Sequence, residues 1–318
     1  MSKQRKKGTV VWGFLYVAAF LLSFAASAVV KMTYNPLGAQ YAVHWDDSVG
    51  TIYTDLSYGD GEANKFDLYV PADRSQKTYG LVVYLHAGGF TSGDKAGDAD
   101  MLKRFCSMGF VAAGINYTLR TEHNDASVDS QSQEIKASIP AVMAESERLG
   151  YKLDRMAISG GSAGGCLALI YAYRDAKTSP LPVKCVFEAV GPASFHHEDW
   201  TPYGLDQSPE AAAGLFSVMS GNTITPEMVI ADDYQEEVKN ISAYQWVTED
   251  SPPTLCAYGA YDKVCPFASA KHLIHALEEH NVPYDYIVFP HSGHGLQNDN
   301  QLYAEYMDRM IAYLDQYM

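Results

Sequence analysis

Gly160-Gly161-Ser162-Ala163-Gly164 fits the pattern G-x-S-x-G, in which a strand turns sharply into a helix and holds a serine at the apex in a strained backbone conformation. Glycines two residues before and two after Ser162 leave room for neighbouring main chain, and Ala163 adds no bulk. A Gly-rich turn with no chemical role is the alternative. A serine hydroxyl is a poor nucleophile at neutral pH, so it needs a base to take its proton and a carboxylate to orient that base. Two later segments offer them, Gly259-Ala260-Tyr261-Asp262 and His291-Ser292-Gly293-His294-Gly295. His294 lies between glycines, with no apolar period to bury it, and His291 is its nearest competitor. Asp262 competes with a reading as an ordinary turn aspartate. Glu188 is a rival acid, but it lies inside an apolar strand and too early in the chain for the order serine, acid, base. His196 and His197 with Glu198 do not have the spacing that puts two histidines on one helix face, so the expectation is no metal and no organic cofactor.

These residues need a scaffold that brings distant loops together. Short apolar or alternating runs predict strands over 51–56, 65–70, 81–85, 110–117, 156–159, 183–190, 254–258 and 284–289. Between them, helical spacing predicts helices over 99–108, through Ile135, Ile139, Val142 and Met143 to a stop near Gly150, after the elbow, through Ala270, Leu273, Ile274 and Leu277, and from Tyr303 to Leu314. Strand and helix alternate, the pattern of right-handed crossovers and a mostly parallel, doubly wound sheet. Neighbouring parallel strands deliver the loops at their carboxyl ends to one edge, where open α/β sheets place ligands. From residue 193 to 251 the alternation breaks into short helices and loops, which fits a cap inserted over the strand ends.

The first seven residues carry Lys3, Arg5, Lys6 and Lys7, and residues 9–30 contain no charge. This reads as a membrane address: a spanning helix, or a signal peptide with an Ala26-Ser27-Ala28 cleavage site, with the rest of the chain sent outward. The expected organisation is a leader over 1–31, a linker over 32–50 and a catalytic domain over 51–318 that includes the cap at 193–251. A net charge of −15, with no basic run beyond the leader, argues against nucleic acid as a partner. The five cysteines, Cys106, Cys166, Cys185, Cys256 and Cys265, form no C-x-x-C pair and mostly sit in apolar runs, as small core residues do. Asp60 and Glu62 read as turn chemistry, without the spacing of a calcium loop.

From about residue 50 onward the chain resembles the α/β-hydrolase superfamily, in its esterase/lipase branch with an H-G-G-G-type loop. The resemblance rests on His86-Ala87-Gly88-Gly89, Gly160 to Gly164, Asp262 and His294, in the family's order and each after a predicted strand. It implies a nucleophile at Ser162, an orienting acid at Asp262, a base at His294, and an oxyanion hole formed by the amides of Gly88, Gly89 and Ala163. Ala87 departs from the family's first glycine, which is harmless if its φ stays negative. His86 is expected to fix the loop, and Asp94 in Ser92-Gly93-Asp94-Lys95 to brace it. The expected activity is hydrolysis of a small carboxylic ester, short-chain or carbohydrate-linked, through an acyl-enzyme. A prolyl-oligopeptidase-like peptidase is the runner-up, disfavoured because only about fifty residues precede the first strand where that group carries a propeller. A non-catalytic binding module of the same fold is the alternative of another class; such modules usually lose a triad residue.

Overall fold

Several strands have almost no wet face. β3 (Tyr79–Leu85) and β4 (Val111–Ile115) are buried along almost their whole length, which suits strands covered by helices on both sides. The computed structural model describes residues 40–318 together with Ser23, and places both strands inside an eight-stranded sheet. With β1 (Gly50–Ser57), β2 (Lys65–Pro71), β5 (Leu153–Gly161), β6 (Val183–Ala189), β7 (Thr254–Gly259) and β8 (Tyr284–Phe289), the order is β1-β2-β4-β3-β5-β6-β7-β8. β1 and β2 pair antiparallel, and so do β2 and β4; every other pairing is parallel. The predicted strands all form. β8 matches its expected limits, and β5 extends further at both ends.

The register sets the rim. Leu85 pairs with Gly160, Gly161 with Ala189, and Gly259 with Phe289, so β3, β5, β7 and β8 end level with their neighbours. The loops that follow these strands therefore leave the sheet on the same side.

Helices α1 (Ala99–Ser107), α2 (Val128–Arg148), α3 (Ala163–Ile170), α7 (Ala270–Glu279) and α8 (Asn300–Tyr317) follow strands of the sheet, while α4 (Pro209–Ser220), α5 (Pro226–Ala231) and α6 (Gln235–Val238) lie between β6 and β7. Alternate strand residues serve opposite faces. Val83, Leu85, Ile158 and Val186 join one core cluster with residues of α2, α3 and α7. On the opposite pleat Tyr84 and Phe187 meet Phe105 of α1. All of α3 is buried, and each of its larger aliphatic side chains contributes about 1.5–3 kcal/mol by leaving water. α2 starts earlier than apolar spacing alone shows, because Ser127 and Ser130 form a reciprocal capping box.

The expected leader lies outside the described residues apart from Ser23, as do residues 32–39 of the expected linker. Among the described residues no helix is long and apolar enough to cross a membrane. Residues 43–318 form one compact unit, and it holds every feature described below. All five cysteines are buried and free.

Candidate active site

Ser162 begins where β5 ends, with φ 54° and ψ −119°, a conformation that side chains rarely adopt. Three backbone constraints hold it there. The Ser162 amide donates to Ala189 O (2.8 Å) across to β6, and the Cys166 amide donates back to Ser162 O (3.0 Å). A Cβ on Gly160 would stand 2.4 Å from the carbonyl carbon of Gly164, and one on Gly164 would stand 1.9 Å from Leu85 O. Neither position tolerates a side chain, so the two flanking glycines are steric requirements of the turn.

The hydroxyl of Ser162 lies 2.8 Å from His294 Nε2, and His294 Nδ1 lies 2.7 Å from Asp262 Oδ2. A carboxylate only accepts, so Nδ1 carries the proton that it donates to Asp262, and Nε2 is left to accept from the serine hydroxyl. Asp262 is fixed in turn: its Oδ1 accepts from the amides of Val264 (2.8 Å) and Cys265 (3.0 Å). The Asp262 side chain is fully buried while that of His294 keeps 25% of its surface open. The carboxylate is thereby shielded from water and the imidazole remains able to reach a substrate.

The competitors are engaged elsewhere. His291 bonds Asp299 through both its amide and Nδ1. Glu188 is wholly buried; its Oε2 accepts from the Gly191 amide (2.8 Å), Oε1 has no partner among the described residues, and burial pushes its carboxyl up to about 8. His196 meets the Tyr244 hydroxyl (2.7 Å) and stacks on His272, whereas the His197 amide and ring meet the Tyr234 hydroxyl. Among the described residues no group of three or more His, Cys, Asp or Glu side chains could hold a metal ion.

The loop after β3 brings Gly88 (φ 135°) and Gly89 (φ 59°) to the serine. Their amides, like that of Ala163, donate to no backbone acceptor among the described residues. Gly88 O instead accepts from the amides of Thr91 (3.2 Å) and Ser92 (3.0 Å), which curls the loop. Ala87 is not among the residues with positive φ, so its methyl group is accommodated. His86 stacks on Tyr117 at 4.3 Å and contacts Ala87 O through Nδ1, while Nε2 has no partner among the described residues. Asp94 accepts from the Ala96 amide and from Asn116 Nδ2, tying the loop to the end of β4. Strain gathers around this rim: Phe90, Ser162, Val190 and Leu296 all have positive φ without being glycine.

Sequence reasoning did not pick out two further features. Lys95, next to Asp94, is buried and bridges Asp55 (2.8 Å) and Asp67 (3.3 Å) from the first two strands. No local spacing could show this, because its partners lie far away in the chain. The second is the cleft itself, about 220 Å³, which Ser162 and His294 share with Trp200, Tyr203, Leu215 and Met219 from residues 193–251. The aromatic and apolar content of that segment was visible, but not which side chains turn toward the serine. A second, more open hollow at Ser162 is lined by Ala87, Gly88, Gly89 and Val190.

The family model described as BD-FAE matches residues 66–277. Esterase LipC of Mycobacterium tuberculosis is 24% identical over 255 residues, which is 75% of this chain and 58% of that protein. The chain spans little more than half the length of the first curated relatives it matches. Among solved structures, Esterase B from Lactobacillus rhamnosis superposes with a TM-score of 0.64 at 21% identity, covering 93% of each chain. A truncated carbohydrate esterase from gut microbiota gives 0.63 at 19% identity, covering 85% of this chain and 98% of that one. At those identities the two structures speak for the fold, that of the α/β-hydrolases; the family match spans most of the sheet, the elbow and the acid, and by it the chain belongs to the BD-FAE family.

Proposed function

We propose that this chain is a serine carboxylesterase acting on small esters through an acyl-enzyme. The observation that carries the reading is the continuous relay from Ser162 Oγ to His294 Nε2 and from His294 Nδ1 to Asp262 Oδ2, at 2.8 Å and 2.7 Å. Ser162 Oγ attacks the ester carbonyl carbon as His294 Nε2 takes its proton. The carbonyl π electrons move to oxygen, where the amides of Gly89 and Ala163, with Gly88 beside them, stabilise the charge. When the intermediate collapses the alkoxide leaves with the proton from His294, and the acyl group stays on Ser162. Water then repeats the sequence in reverse roles and frees the acid. Asp262 keeps its charge throughout and stabilises the imidazolium.

The two openings that meet at Ser162 supply room for the two halves of an ester. The 220 Å³ cleft and its roof from residues 193–251 favour short acyl chains or a compact alcohol over a triacylglycerol. That segment acts as a cap on a catalytic domain over 51–318. An extracytoplasmic location, anchored by the leader or released from it after Ala28, is the reading supported by Lys3, Arg5, Lys6 and Lys7 ahead of an uncharged run. N-terminal sequencing of material from a secreting host tests it.

The test of the activity is an acyl-chain-length series of p-nitrophenyl esters beside acetylated sugars, with Ser162→Ala as control. Hydrolysis that is fastest for short chains and lost in Ser162→Ala is the expected result. Faster cleavage of aminoacyl amides than of p-nitrophenyl acetate would make the protein a peptidase instead, and no turnover by the folded wild type would make it a binding module.

A further inference from the structure

Arg120 lies on the segment that leaves β4 and stands in the wall of the cleft with Ser162 and His294. Its amide donates to Phe90 O (3.0 Å) and its Nη1 to Ala126 O (2.9 Å), so the residue is tethered at both ends. No carboxylate meets its guanidinium among the described residues. The buried cations elsewhere are treated differently. Arg174 is held by Asp129 and Asp175, at 3.0 Å and 2.7 Å, and Lys95 by Asp55 and Asp67. In a chain with 38 acidic and 23 basic residues, a half-buried arginine that lines the nucleophile's cleft and meets no carboxylate among the described residues is conspicuous. Of its five N–H donors, one on Nη1 has an acceptor among the described residues, which leaves four for a ligand at this wall.

A second positive element shares that wall. Ser127 and Val128, the cap and first residue of α2, also line the cleft, so the positive end of a 21-residue helix is directed there. The carboxylate in its first turn, Asp129, is turned away to Arg174. The remaining lining is largely apolar, including Phe90, Leu215, Val218 and Met219. In such surroundings a charged hydrogen bond is worth more than in water.

We propose that Arg120 is a specificity residue that receives a free carboxylate of the substrate, so that the preferred esters carry a second, ionised acid group. The carboxylate could sit on the acyl half, as in a half-ester of a dicarboxylic acid, or on the leaving half, as in an acylated hydroxy acid. A guanidinium fork binds either one bidentately. The inference rests on the esterase reading of the same site.

Two matched substrate pairs test it on the full chain: the 4-nitrophenyl monoester of adipic acid against the same compound with its free carboxylate methylated, and 4-acetoxybenzoate against its methyl ester. The reading is the ratio of kcat/KM for the anionic over the neutral member. This ratio does not depend on how much of a preparation is folded. In the wild type the ratio exceeds one for at least one pair, and that pair identifies the half that reaches Arg120. In Arg120→Gln that ratio falls about ten- to a hundredfold, mainly through KM, and Arg120→Lys recovers part of it. Equal ratios in wild type and Arg120→Gln for both pairs overturn the proposal while leaving the esterase intact. If the folded wild type cleaves none of the four esters, the esterase reading fails and this inference falls with it.

Discussion

At the rim of the sheet the backbone sets the geometry, whereas in residues 193–251 side chains do. Ser162, Gly88 and Gly89 are held by positive φ angles and by contacts so close that a Cβ on Gly88 would stand 1.9 Å from Ser92 O. The segment above them is organised by rings: Phe195 stacks on Trp200, both meet Phe216 edge-on, and Phe216 stacks on Tyr234. Steric prohibition leaves few residue types at a position, while aromatic packing accepts many. The rim is therefore where few residue types fit, and residues 193–251 are where the side chains are freer to vary.

The largest effects belong to the rim. Ser162→Ala or His294→Ala is expected to lower kcat on a short p-nitrophenyl ester by about a millionfold, and Asp262→Asn by about ten-thousandfold, with thermal midpoints close to wild type. Ser162→Gly should abolish turnover equally and yet raise stability by about 1 kcal/mol, because it releases the strain of φ 54°. A loss of activity that tracked a loss of folding in these variants would break the comparison.

Gly88 and Gly89 sharpen it within one loop. Gly88→Ala forces a clash with Ser92 O at a φ of 135° and should cost about a hundred- to a thousandfold in kcat as the amides leave the oxyanion. Gly89 has open space around its would-be Cβ and a φ of 59°, so Gly89→Ala should cost far less, about tenfold. Steady-state kinetics on the two variants reads the difference directly.

How much of this was legible in the sequence follows the same division. Gly160, Ser162, Gly164, Asp262 and His294 announced themselves because the elbow and the relay admit almost no substitutes, and the strands because their residues run apolar or alternate. Trp200, Leu215 and Met219 could not be assigned to the cleft, since an apolar residue in a short helix looks alike whether it faces a core or a cavity. Lys95 and Arg120 were hidden for another reason: whether a cation is paired depends on residues such as Asp55 and Asp67 that only folding brings near.

Effects in residues 193–251 should be smaller and depend on the substrate. Trp200→Ala removes a side chain that is 3% exposed and is expected to cost about 3 kcal/mol of stability. It should raise KM for hexanoate about tenfold and for acetate much less, because only the longer chain reaches the roof of the cleft. An equal change for both esters would mean that the segment supports the rim instead of selecting substrates.

The smallest effect on turnover concerns the buried carboxyl beneath the elbow. Glu188 is held up at about 8 against an ordinary 4.5, so between these values the folded protein keeps a proton that the unfolded chain releases. Its stabilising contribution is complete below pH 4.5 and is lost as the pH rises to about 8. Glu188→Gln, which keeps an acceptor for the Gly191 amide, should flatten the fall of the thermal midpoint over that window, as melting curves at stepped pH would record.

The central claim is that Ser162 is activated by His294, and covalent labelling tests it most directly. Treatment of the full chain with a fluorophosphonate, followed by intact mass and peptide mapping, should give a single adduct on Ser162, none in Ser162→Ala, and labelling slowed by orders of magnitude in His294→Ala. A folded wild-type protein that takes up no label, or an adduct that persists in Ser162→Ala, would contradict it.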